Sequence, residues 1–335
     1  MKRIILLSAL ASVMAAQAVT PASAASDCPG FLPPNDLSIP VGSSDDKGIA
    51  QAQFNAVLDS VERLYAPVVA AKGGVLEVRR LWTDATVNAS AMHSGNRYIL
   101  NMYGGLARHA AVTMDGFALV ACHELGHHLG GAPKIGGGDW ASNEGQADYY
   151  ANLKCLRKVF AEAGSAAFTR AAASDEAARR SCEAAFSGTE DRALCYRSAL
   201  AGKSVAALFM ALRSETTEPR FDTPDPAVVS SMFDKHPGTQ CRLDTYLQGS
   251  LCTQPLSSVL SDTKPSAGTC TRSAGFAGGF RPLCWYKPAS ASELLPPAAL
   301  AFPGEDEDGV IPAGAAFSAL RSADPRGARY TAPLR

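Results

Sequence analysis

Gly116-Phe117-Ala118-Leu119-Val120-Ala121-Cys122 runs without a break into His123-Glu124-Leu125-Gly126-His127. No other feature constrains the fold of this chain as tightly. The apolar run marks a buried helix, and polar groups carried into a core must find partners there. His123 and His127 stand four residues apart. On a helix that spacing puts both imidazoles on one face, where they reach a single ion. Glu124 adjoins the first histidine, so its carboxylate can contact a water held by that ion. The helix is predicted over residues 113–129, stopped by Gly130-Gly131 and Pro133.

Two imidazoles plus one carboxylate leave a fourth position open, as a catalytic zinc site requires. The third ligand therefore decides the class. Six residues past His127 stands Pro133, which cannot bind metal. Asp139 is a competitor, but Gly138-Asp139-Trp140 lacks the rest of a matching signature. Glu144-Gly145-Gln146-Ala147-Asp148 fits better, since its two carboxylates share a face near the start of the next helix. That helix is expected to take Ser142 as its N-cap and to run to about residue 163. Glu144 is expected to ligate Zn2+, and Asp148 to accept the second ring N–H of His123 and fix its tautomer. The plain alternative is an ordinary acidic first turn.

Three blocks of this chain resemble the gluzincin peptidases that include the CAAX prenyl endopeptidase and the heat-shock protease HtpX. The first is Val87-Asn88-Ala89 with Gly95, Ile99 and Gly104-Gly105-Leu106. The second is the His-Glu-Leu-Gly-His helix with Glu144 and Asp148. The third is His236-Pro237 followed by Arg242-Leu243. The resemblance spans roughly residues 48–248. It implies a zincin-like metallopeptidase that hydrolyses peptide bonds in a protein or peptide substrate, with Glu124 as general base. His236 becomes a candidate for stabilising the charged transition state, with a loop cap beside Cys241 as its alternative. Arg242 is expected to pair with a carboxylate near the zinc helices. The family's membrane helices are absent, and the cysteine-rich stretch after Cys252 has no counterpart in it.

The N-terminus reads as a signal peptide over residues 1–24. Lys2 and Arg3 precede an apolar stretch, and Ala22-Ser23-Ala24 is a small-residue cleavage site. A membrane anchor is the competing reading, but the stretch is short for a span. Export to the periplasm or medium suits the nine cysteines. Cys122, inside the helix pattern, is expected to stay a free thiol. Eight cysteines allow about 105 pairings. Short loops favour Cys182 with Cys195, Cys241 with Cys252, Cys270 with Cys284, and Cys28 with Cys155. Losing Lys2 and Arg3 leaves 29 basic against 32 acidic residues. Such a balance offers no basic footprint for nucleic acid or anionic lipid.

The expected fold class is α+β: a mostly helical zincin-like body with a small antiparallel sheet. A helix is predicted over 47–71, strands over 75–82, 86–92 and 97–103, and two or three helices within 165–213. The metallopeptidase domain is expected over 25–250, a small disulfide-stapled lobe over 251–302 and a loose tail over 303–335. His128 is expected to be structural, His93 and His109 solvated, Tyr149 and Tyr150 packed. Asn88-Ala89-Ser90 is expected to be a chance match to a glycosylation acceptor. Two further functional readings stay open. One is a non-catalytic exported scaffold, against which the intact Glu124 argues. The other is an enzyme held inactive until its N-terminal segment or tail is removed.

Overall fold

The structure is a computed structural model and describes residues 26–28, 30–137, 140–163 and 175–290. The expected leader, Asp139 and the expected tail lie outside the described residues. The chain is α+β, with one small sheet against a mostly helical body. Among the described residues no helix is long and apolar enough to cross a membrane.

Helix α1 (Gln51–Ala70) buries Phe54, Val57, Leu58, Val61, Tyr65 and Val69 along one stripe. It starts later than the apolar spacing suggests. The N–H groups of Lys47, Gly48 and Ile49 are taken by the carbonyls of Arg108 and Ala107 instead of entering a helix. Strands β1 (Ser26–Asp27), β2 (Val75–Leu81), β3 (Ala89–Ser94) and β4 (Arg97–Tyr103) form one sheet in the order β1-β3-β4-β2. Gly95, at φ 61°, makes the tight turn between β3 and β4. The sheet is mixed, not purely antiparallel. β4 is antiparallel to its hairpin partner β3 and inserts between β3 and β2, so it pairs with β2 in parallel.

A short helix α2 (Gly104–Arg108) leads to α3 (Met114–Leu129), where Thr113 accepts the Gly116 N–H as N-cap. Every residue from Gly116 to Leu129 is buried, as expected of a helix enclosed on all sides. Helix α4 (Glu144–Tyr150) passes through a π-helical turn (Ala151–Cys155) into α5 (Leu156–Ala163). Its cap is Asn143, which accepts from Gln146 N–H, while Ser142 Oγ donates to the Gly131 carbonyl. Gly126 permits the close crossing of α3 and α4: a Cβ there would stand 2.8 Å from the Ala147 carbonyl oxygen. Among the described residues the remaining α-helices are α6 (Glu176–Ala185), α7 (Thr189–Arg213) and α8 (Thr239–Leu251). Trp285, fully buried, lies against Gly145, where a Cβ would meet the indole at 2.1 Å. Residues near the C-terminal end of the described chain thus brace the start of α4.

The disulfides are Cys122–Cys155, Cys182–Cys195, Cys241–Cys284 and Cys252–Cys270. Only the Cys182–Cys195 pair agrees with the short-loop expectation. Cys241 lies in the first turn of α8 and Cys252 caps its C-terminal end, eleven residues on. At about 1.5 Å per residue they stand about 16 Å apart along the helix axis, too far to bond. Cys122 is not free either, because its face of α3 meets the π-helical turn that carries Cys155. The free cysteine is Cys28, and it is buried. Thiol counting on denatured, unreduced protein should therefore find a single reactive cysteine, and peptide mapping should place the label on Cys28. A label on Cys122 would contradict this pairing.

Candidate metal centre

Helix α3 carries His123, Glu124 and His127 inward, and Glu144 meets them as the first residue of α4. His123 Nε2 lies 3.1 Å from His127 Nε2. Glu144 Oε2 is 3.4 Å from His123 Nε2, and Oε1 is 3.7 Å from His127 Nε2. Tetrahedral donors about 2.0–2.1 Å from a zinc ion stand about 3.3 Å from one another. The three sequence-predicted ligands therefore lie at the separations a single tetrahedral ion requires.

The far side of each ring explains its orientation. His123 Nδ1 is 2.7 Å from Asp148 Oδ1, and His127 Nδ1 is 2.8 Å from the Ser142 carbonyl oxygen. With those nitrogens donating, both Nε2 lone pairs converge on one point, a task that suits a cation. The carboxylates carry the same message. Both oxygens of Glu124 and of Glu144 are buried without a hydrogen-bond partner. Carboxylates left so are costly unless a cation or ordered water serves them. The donor set of two imidazoles and a carboxylate is one that zinc accepts.

The electrostatics follow from burial and partners. Burial would lower the His123 pKa, but Asp148 and then Glu144 outweigh it and hold it at about 9. A cation at Nε2 displaces that proton. Burial pushes His127 down to about 4, so its ring is neutral near pH 7. Burial would raise Glu144, yet the two histidines bring it down to about 2. Glu124 moves the other way. Burial lifts it to about 8, with His123 opposing and Glu144 adding to the rise. A carboxylate that takes up a proton near neutrality is suited to general-base work.

Asp148 is a hub. Its Oδ1 also accepts from Arg242 Nη2 at 2.7 Å and from the Tyr246 hydroxyl at 3.0 Å. Arg242 is buried between the rings of Phe31 and Phe209, 4.6 and 4.3 Å from their centroids. His236 sits at the rim, its Nε2 3.6 Å from Glu144 Oε2 and donating to the Gly30 carbonyl at 2.7 Å. His236 thus ties the Gly30 segment to the edge of the ligand cluster.

Cys28 is the residue that sequence reasoning missed. Its Sγ lies 3.3 Å from His127 Nδ1, and donor atoms of Cys28, His127 and Glu144 lie within 4.8 Å of one another. The odd cysteine count signals that one thiol stays unpaired, but not which one. A second group, Asp225 with Cys241 and Cys284, is no metal site, because those sulfurs form a disulfide. The other histidines stay out of the cluster. His128 pairs with the Ile99 carbonyl oxygen at 3.2 Å. His93 and His109 are half-buried, not solvated: His93 stacks on Trp140, and His109 Nδ1 accepts from Ala111 N–H. Tyr149 and Tyr150 are both buried. The Asn88 side chain is engaged with the backbone of Leu32.

Comparison with known proteins returns no match, whether by family model, curated sequence or solved structure.

Proposed function

We propose that this chain is an exported zinc-dependent endopeptidase of the gluzincin type, acting on protein or peptide substrates in the periplasm or medium. The observation that carries the reading is the convergence of His123, His127 and Glu144 within 3.1–3.7 Å, with the unpartnered Glu124 carboxylate carried on the same helix. Zinc held by these three residues supplies a Lewis acid that polarises a scissile carbonyl and acidifies water. Glu124 accepts the proton of the attacking water and returns it to the leaving nitrogen as the C–N bond breaks. Asp148 keeps His123 in the tautomer that offers Nε2, and Arg242 with Tyr246 holds Asp148 in place. His236 Nε2 borders Glu144 and donates its N–H to the Gly30 carbonyl; released from that bond, it would face the oxygen that gains charge.

One observation favours a second reading. His123, Glu124, His127 and Glu144 are all fully buried, which also suits a metal-braced scaffold without catalysis. A scaffold, however, has no use for an unpaired carboxylate beside its metal. The test is cleavage of a proteome-derived peptide library by zinc-loaded protein, with and without limited proteolysis. The reading predicts cleavage that a chelator abolishes and zinc restores. Full zinc occupancy with no cleavage in either preparation would favour the scaffold.

A further inference from the structure

We propose that residues 226–236 form a strap that gates the ligand cluster, with Asp234 as its latch. As an entrance for a peptide substrate, the gate rests on the peptidase reading.

The cluster is closed in this structure: His123, Glu124, His127 and Glu144 have no solvent exposure. A peptide reaches them only if one wall moves, and most walls are fixed. Cys122–Cys155 ties α3 to the π-helical turn, and Cys241–Cys284 and Cys252–Cys270 tie α8 to later residues of the chain. Phe31 and Leu32 belong to the main core, and Phe31 N–H pairs with the Ala89 carbonyl. Ser142 and Asn143 are fully buried, and displacing Ser142 would strip the His127 ring of its carbonyl partner.

The wall beside Glu144 is built differently. No helix or strand lies between α7 and α8. Within the strap Val228, Ser230, Ser231, Phe233 and Lys235 are exposed, so few of its side chains commit to a core. Its ends are held. Asp225 N–H donates to Asp244 Oδ2 at 2.7 Å, and Arg213 Nη2 donates to the Pro237 carbonyl at 3.0 Å. Between these ties Val229 N–H donates to the Leu283 carbonyl at 2.9 Å and Phe233 N–H to the Trp285 carbonyl at 3.0 Å. A segment with little buried apolar surface opens at a lower free energy than the helices it lies on.

Two strap residues reach the site. The His236 side chain is 13% exposed where Glu144 is 0%, and its Nε2 lies 3.6 Å from Glu144 Oε2. It is therefore an outer wall of the cluster. Asp234 is the clip: Oδ2 accepts the Gly136 N–H at 2.8 Å, and Oδ1 accepts from Asn143 Nδ2 at 3.1 Å. Asn143 caps the helix that begins with Glu144. One carboxylate thus fastens the strap to the loop and to the helix start beside the ligand. Gly136 is exposed, so water can replace that bond when the clip opens. Lifting the strap also breaks the bond from His236 to the Gly30 carbonyl, so access and release of that ring N–H are one event.

The test is stopped-flow zinc exchange on the full chain and on Asp234→Ala, using excess chelator for release and zinc alone for uptake. A gate sets rates and not affinity. The variant should therefore release and take up zinc at least about tenfold faster, the scale of lost hydrogen bonds to a charged acceptor, with an unchanged dissociation constant. Faster release without faster uptake would show that Asp234 merely positions Glu144, and unchanged rates would show that the strap is no gate. Either result overturns the inference and leaves the peptidase reading standing. Wild-type protein that takes up no zinc sinks the peptidase reading. Labelling of the buried Cys28 thiol beside His127 then decides the gate, at least tenfold faster in Asp234→Ala if it exists and equal if it does not. Should Asp234→Ala not fold, hydrogen exchange on the wild type decides. The Val229 and Phe233 amides should exchange at least about 100-fold faster than those of α3, and equal protection overturns the proposal.

Discussion

Glu124→Gln should keep its zinc and its fold while peptide cleavage falls by about 100- to 10,000-fold, the usual size of a lost general acid–base group. The substitution is nearly isosteric, so packing around α3 is preserved. Glu124 accepts no hydrogen bond from the protein, so no protein partner is orphaned by the change. Burial already burdens its charge, lifting its pKa to about 8, and removing that charge should leave thermal stability equal or higher. The amide cannot accept the proton of water. Turnover and the specificity constant should therefore fall together, because the lost interaction belongs to the transition state. Cleavage at the parental rate would remove Glu124 from the mechanism.

Asp148→Ala should damage the protein twice. Its carboxylate is the ionic partner of buried Arg242 and the acceptor of the His123 ring. Removing one member of a buried ion pair costs about 3–5 kcal/mol, because the other charge stays behind unpaired. A domain of this size loses roughly 2–4 °C of Tm per kcal/mol, so melting should fall by about 10 °C. Zinc affinity should separately drop by about 10- to 100-fold as His123 loses its orienting partner. The two effects are separable. In Asp148→Ala with Arg242→Met, the orphaned charge is gone, so much of the stability should return while zinc affinity stays weak. Unchanged zinc affinity in Asp148→Ala would show that the Asp148–His123 contact does not tune the metal.

The parts of this account readable from sequence are those that local spacing dictates. The four-residue interval between His123 and His127 and the matching interval between Glu144 and Asp148 assign faces on helices before any fold is known. Residues 97–103 form a strand as expected, because the turn at Gly95 and the apolar pattern agree there. What escaped the sequence depends on contacts between distant elements. Parallel pairing of β2 with β4 follows from which strand inserts between which. The pairing of Cys122 with Cys155 needs the crossing of α3 and the π-helical turn. Cys28 reaches His127 across 99 positions of chain. No short-loop rule could place it there, since its location is set by strand addition to β3.

The central claim is that His123, His127 and Glu144 hold one metal ion, and elemental analysis of the purified mature chain tests it most directly. Wild type should carry one zinc per chain. Glu144→Ala should lose it while retaining the four disulfides and a cooperative melt. A wild-type protein free of metal after zinc loading, or full zinc occupancy in Glu144→Ala, would contradict the account.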